Sequence, residues 1–178
     1  MRARVATRDG FSLLEIAVVI VIIAILAALA LPAYGKFRAR AQRVRCMNNL
    51  KNLAVAANLY LNENQVWPQI PAPDPKAPSE EFAEKWIAAL APFGATRNTW
   101  ICPSIQSQLR NPDYSTPGQG RIDYIATPFD DKPMSPREWP RQPWFVETGD
   151  MHGNGNLIIF TDGSINDLKT VVAESKGK

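Results

Sequence analysis

The sequence predicts an α+β chain: a long N-terminal helix, a second helix, and a small antiparallel sheet toward the C-terminus. Three observations carry that expectation. Residues 16–31 are sixteen consecutive apolar residues, and together with residues 11–15 they reach the ~20 that a membrane-spanning helix needs. Past Pro32, Phe37, Ala41, Val44, Met47, Leu50, Ala54, Ala57 and Leu61 recur three or four apart, the spacing of one helix face. In the last third, short β-branched and aromatic runs alternate with turn residues, and Asp162-Gly163 is a strong hairpin signal.

Taken in order, residues 1–10 hold Arg2, Arg4 and Arg8 and read as a basic leader. Residues 11–32 form the apolar helix, in which Glu15 is the one charged residue. An intramembrane carboxylate costs on the order of 2.5–3.5 kcal/mol on insertion scales, so it marks function. Pro32 lacks a backbone donor and should kink or loosen the helix, which then continues as an amphipathic stretch over residues 33–66. Trp67-Pro68 ends it, and Pro71, Pro73, Pro75 and Pro78 make a stiff connector. Ser79 is a good N-cap for the second helix, with Glu80 and Glu81 in its first turn and Phe82, Trp86, Leu90 and Phe93 on its apolar face. Strands are expected at residues 121–127, 145–147, 157–160 and, after the Asp162-Gly163 turn, 165–172. Residues 67–178 are expected to form one globular α+β domain.

The run Gly10-Phe11-Ser12-Leu13-Leu14-Glu15 followed by an apolar helix resembles the N-terminus of the type IV pilin and type II secretion pseudopilin superfamily. The resemblance implies a pilin-like fold and cleavage by a prepilin peptidase after Gly10, with methylation of the new terminus at Phe11. It also implies pairing of Glu15 with the amino terminus of a neighbouring subunit. The physics supports this last role: an ammonium and a carboxylate, each alone in an apolar setting, are satisfied only by assembly. Two simpler readings compete. Ala28-Leu29-Ala30 resembles a secretory cleavage site, but the apolar run is long for a signal core and Glu15 is out of place in one. An uncleaved anchor explains the length and not Glu15. Lys36, Arg38, Arg40, Arg43 and Arg45 outnumber the leader arginines, so the positive-inside rule favours the opposite orientation. The processing motif outweighs it.

A formal charge of +3, of which residues 1–10 contribute +2, carries no nucleic-acid signature. A second resemblance spans most of the remaining chain. Residues 46–53, the later Trp100-Ile101-Cys102-Pro103-Ser104, and His152 followed after nine residues by Asp162-Gly163 are similar to a bacterial subfamily of prepilin-like proteins defined by that last spacing. Ser164 stands where such proteins often carry another His.

His152 is the only histidine, so a metal site built on it needs carboxylates or cysteines, and Asp150, Asp162, Asn166 and Asp167 are the local candidates. An intervening strand of six residues spans about 20 Å, which places His152 and Asp162 at opposite ends and argues against an acid–base pair. The bland alternative is that His152 packs within its Gly-Asn-Gly-Asn loop. Asp162, Asn166 and Asp167 offer oxygen ligands for calcium, and the resemblance implies calcium in some relatives, but a hairpin turn explains the same residues. No cofactor is otherwise expected. Trp139 and Trp144 form either core anchors or a ligand platform. The basic run 36–45 is either a solvated face or a contact for lipid headgroups and acidic patches of adjacent subunits.

Cys46 shares a helix face with Leu50, Leu53 and Ala57, and Cys102 follows an apolar Trp100-Ile101. Two cysteines in an extracytoplasmic domain read as a disulfide, the alternative being two buried thiols. The function implied is a non-enzymatic pseudopilin or minor pilin. It would be anchored by a single pass in the bacterial inner membrane with its domain in the periplasm, and assembled into a pilus-like filament by a secretion or pilus platform. A membrane-anchored periplasmic binding module that uses the pilin start for export is the rival reading.

Overall fold

The computed structural model describes residues 13–72, 79–109 and 120–176. Gly10, Phe11 and the leader lie outside the described residues, as do most of the proline connector and residues 110–119. The chain divides into two compact units, Met1–Arg38 and Ala39–Lys178.

Helix α1, Leu13–Asn64, begins in the first unit and ends in the second. Within the first unit its apolar side chains are exposed on all sides, including Ile16, Ile20, Ile23, Leu26 and Leu29, with Leu13 91% exposed. A helix apolar all round has no solvated face to present and is stable only inside lipid or an assembly. Among the described residues no single helix is long and apolar enough to cross a membrane, whereas the bent pair Leu13–Leu29 and Tyr34–Asn64 meets that requirement together. The bend brackets Pro32, where a missing N–H is expected to loosen the ladder.

In the second unit α1 buries Cys46, Leu50, Leu53, Ala54, Ala56, Ala57 and Leu61. The lower part of the expected stripe, Phe37, Ala41 and Val44, stays exposed. Gln65 at φ 58° closes the helix in the left-handed region. Helix α2, Ser79–Leu90, runs into a 3₁₀ turn, Ala91–Phe93, stopped by Gly94 at φ 96°. A second 3₁₀ turn, Arg97–Trp100, leads to the short helix α3, Pro103–Gln106, with Pro103 in its first turn.

The sheet is a four-stranded antiparallel meander in the order β1-β2-β3-β4: β1 Tyr124–Ala126, β2 Pro143–Glu147, β3 Leu157–Phe160 and β4 Ile165–Asp167. The register pairs Tyr124 with Glu147, Ala126 with Phe145 and Phe145 with Ile159. It thereby sets Tyr124, Ala126, Phe145, Glu147, Leu157 and Ile159 on one buried face. The apolar members of that face join the buried side of α1 in one core. Trp67 fills its centre, with ring centroids 5.0 Å from Phe129, 5.4 Å from Trp144 and 5.8 Å from Phe145. Trp86 and Trp100 extend the cluster at 6.1 Å from each other. A Trp139–Trp144 platform does not form: Trp144 is buried, its Nε1 donating to the Pro136 carbonyl at 2.6 Å, while Trp139 is exposed.

One element differs from expectation. The strand expected over residues 165–172 stops at Asp167, and helix α4, Leu168–Lys176, takes over. Asp167 Oδ1 accepts from the Thr170 N–H at 3.1 Å and from its hydroxyl at 2.8 Å. That is an N-cap, and it overrides the β-branched run that follows. These Thr170 bonds, with Arg43 3.3 Å from Oδ2, hold the Asp167 carboxyl below its usual range. Asp167→Ala should cost about 1–2 kcal/mol in urea denaturation and speed amide exchange along α4. Because the folded carboxyl ionises below its unfolded value of about 3.9, its contribution is complete above that pH and disappears as pH falls through the lower folded value.

Candidate functional site

Two regions of the chain carry chemistry. The first is the N-terminal segment, where Glu15 is the acidic residue in the first turn of α1 and stands exposed among exposed apolar side chains. An acid there favours the positive end of the helix dipole. That gain is small against the cost of a carboxylate in an apolar setting, so a partner cation is the stronger requirement.

The second lies in the Ala39–Lys178 unit where α1 meets the sheet. Cys46 on α1 and Cys102 before α3 are fully buried and form a disulfide, with Cα atoms 5.2 Å apart. Asn49 Nδ2 reinforces the same junction, donating to the Ile101 carbonyl at 2.8 Å. Asp123, also buried, accepts from the Cys102 N–H at 2.8 Å and from Arg121 Nε at 2.8 Å, which fixes the approach of the Cys102 segment.

Beside the disulfide sits a carboxylate. Glu147, the last residue of β2, is 0% exposed. Its Oε1 lies 3.3 Å from His152 Nε2, and its Oε2 accepts from the Leu157 N–H at 3.4 Å. Asn156 Nδ2 donates to the Glu147 carbonyl at 2.6 Å. The His152 side chain is only 3% exposed. The Tyr124 hydroxyl donates to the Cys46 carbonyl at 3.4 Å, and burial, aided by the nearby Glu147 carboxylate, pushes its phenol above the ordinary value.

Glu147 was not among the expected partners of His152, yet the strand pattern signals it. With Phe145 directed to the core, a period of two directs Glu147 there as well. The residues proposed from proximity in sequence do other work. Asp150 Oδ1 accepts from the N–H groups of Gly153 and Gly155 at 3.1 and 2.9 Å, shaping the loop that presents His152. Gly155 sits at φ 86°, and a Cβ there would meet Leu168 Cβ at 2.9 Å, so the loop needs glycine. His152 precedes β3 and Asp162 follows it, so the two stand at opposite ends of the strand.

The three calcium candidates are not brought together. Asp162 Oδ1 accepts from the Ser164 N–H within the Asp162-Gly163 turn, at 2.8 Å, and Gly163 adopts φ 77°. Asp167 pairs opposite Leu157, a few residues down the hairpin, and caps α4. Asn166 lies between them, opposite Ile158, beside Arg141. Among the described residues, the group of metal-capable side chains that does converge is Cys46, Cys102, Glu147 and His152.

Comparison with known proteins bears on the first region. Residues 6–31 match the family described as the prokaryotic N-terminal methylation motif. The chain carries a prepilin-type N-terminus. Over 61 residues the chain is 44% identical to "Fimbrial protein EcpC" of Eikenella corrodens, a match covering 34% of this chain and 40% of that relative. The chain therefore spans well under half the length of the relative it matches. No solved structure matches it. The expected processing residues, Gly10 and Phe11, lie outside the described residues, and Glu15, within the matched segment, lies on α1.

Replacing both cysteines by serine opens a junction that closes 56 residues of chain. The double variant should lose about 2–4 kcal/mol of stability in urea denaturation, the chain-entropy value being an upper figure. Thiol labelling of the unreduced, unfolded parent should find no reactive cysteine.

Proposed function

We propose that the chain is a structural subunit of a pilus-like filament, a pseudopilin or minor pilin rather than an enzyme. Prepilin peptidase cuts it after Gly10 and methylates Phe11. The apolar half of α1 anchors it by a single pass in the inner membrane, with the remaining domain in the periplasm. Subunits then leave the bilayer together through a secretion or pilus assembly platform, apolar helices inward. The carrying observation is Glu15 within a methylation-motif helix whose apolar side chains are exposed on all sides. Such a surface calls for helix partners, and the single carboxylate gives them a register: the amine of Phe11 on a neighbouring copy satisfies Glu15, and Glu15 satisfies the amine.

A second reading, an anchored periplasmic binding module, draws support from one feature. An apolar cavity of about 460 Å³ opens between α2 and β1, lined by Ile70, Phe82, Trp86, Ile125 and Phe129 among others. Apolar cavities of that size suit small ligands.

Intact mass and N-terminal fragmentation of the membrane-extracted protein should give a chain beginning at methylated Phe11. A terminus at Leu31 would show secretory cleavage and defeat the filament reading. Glu15→Leu should insert in membranes at least as well as the parent while losing crosslinks to neighbouring subunits. Normal incorporation of that variant into filaments would count against the pairing.

A further inference from the structure

Beneath α1, four side chains that the filament reading leaves unused meet in one place. Cys46 Sγ, Cys102 Sγ, a Glu147 carboxylate oxygen and a His152 ring nitrogen all lie within 4.8 Å of one another. They come from four separate segments: α1, the residue before α3, the end of β2 and the loop before β3. In the oxidised chain the sulfurs are joined to each other, which leaves a carboxylate–imidazole pair buried beside them. Among the described residues, the His152 imidazole is the basic side chain within 4 Å of the Glu147 carboxylate, at 3.3 Å. A carboxylate taken wholly out of water is costly unless it is paired or coordinates a metal.

We propose that reduction of the Cys46–Cys102 disulfide converts this cluster into a Cys₂-His-Glu site for a zinc-class divalent cation. The step balances with a thiol reductant: two thiols are oxidised to their disulfide, and two electrons and two protons pass to Cys46 and Cys102. A bound dication then displaces both thiol protons to solvent and is held by two thiolates, the neutral imidazole and the carboxylate.

Geometry and donor chemistry both favour this class of ion. Bonds of about 2.0–2.1 Å to nitrogen and oxygen define a tetrahedron with an edge of roughly 3.4 Å. His152 Nε2 and Glu147 Oε1 are already 3.3 Å apart. Released sulfurs would separate to roughly 3.7 Å, given Zn–S bonds of about 2.3 Å, and close on the nitrogen and oxygen from within 4.8 Å. Thiolates and imidazole select zinc, cobalt and their neighbours over calcium, which takes six to eight oxygens. The surroundings suit a metal as well. The Leu157 N–H holds Oε2 and so directs Oε1 toward His152, the kind of outer contact that orients a ligand. A cavity of about 340 Å³, lined by Arg40, Gln42, Arg43, Ser104, Ser107 and His152 among others, reaches His152 and gives an entry path at that ligand. The same junction is thus held by a covalent bond when oxidised and by coordination when reduced.

The test uses the full mature chain in detergent, reduced with a phosphine that is then removed under anaerobic conditions. Titrated with Co²⁺, the reduced chain should take up one ion with thiolate charge-transfer and tetrahedral d–d bands, and Zn²⁺ should displace it. The oxidised chain should take up none. Glu147→Gln and His152→Gln, first shown by near-ultraviolet circular dichroism to be folded while oxidised, should each weaken cobalt binding tenfold or more. His152→Cys, which restores a donor, should recover most of it. If the reduced apo chain unfolds, metal should refold it with the same spectrum. No uptake by the reduced chain, equal uptake by the oxidised chain, unchanged affinity in both Gln variants, or an unfolded reduced chain that metal fails to restore would each overturn the proposal.

Discussion

The buried face of α1 formed by Cys46, Leu50, Leu53, Ala57 and Leu61 packs against one side of a sheet whose strands are three to five residues long. Strands that short cannot hold themselves together, because a small hairpin is marginal in water without something to cover its apolar face. The α1 contact therefore comes before the sheet in the energetic order of the domain. The disulfide, the Asn49–Ile101 bond and the Tyr124–Cys46 bond all converge on the same stretch of helix. The Trp67 ring links α2, through Trp86, to the sheet, through Trp144 and Phe145. Arg43 extends the contact to the far end of the sheet through Asp167, whose other oxygen starts α4.

Met1–Arg38 obeys the opposite constraint. Among its described residues, the large apolar side chains from Leu13 to Leu31 are exposed, so this chain does not satisfy them. One chain thus contains a self-sufficient core and a segment that needs an external apolar medium, and Pro32 lies in the bend of the helix that carries both. Glu15 makes the second requirement specific. Lipid alone would cover the leucines and isoleucines, but it offers nothing to a carboxylate.

Much of this was legible from residues alone. The apolar run, the helix spacing through Leu61, the Asp162-Gly163 turn and the pairing of Cys46 with Cys102 depend on local pattern or on simple counting, which a sequence displays directly. The α4 cap was equally local but was outweighed: Ile165, Val171 and Val172 argue for a strand, while the Asp167-to-Thr170 bonds depend on side-chain geometry that propensity ignores. Glu147 was missed for a different reason. Its inward direction follows from Phe145, but its meeting with His152 and the disulfide depends on tertiary packing that brings together residues about a hundred positions apart. The Trp144 environment is likewise tertiary, since its indole finds the Pro136 carbonyl only once the intervening loop folds back.

The brevity of β1 and β4 has its own meaning. Both stand at the margins of the meander, where backbone N–H and C=O groups are available to any strand that arrives from outside. Three residues give an incoming strand little purchase, and α4 springs directly from β4 before the ladder can be extended. Such edges resist runaway sheet-to-sheet joining. Domains built this way can be crowded at high local concentration and still meet through their side chains rather than fuse through their backbones.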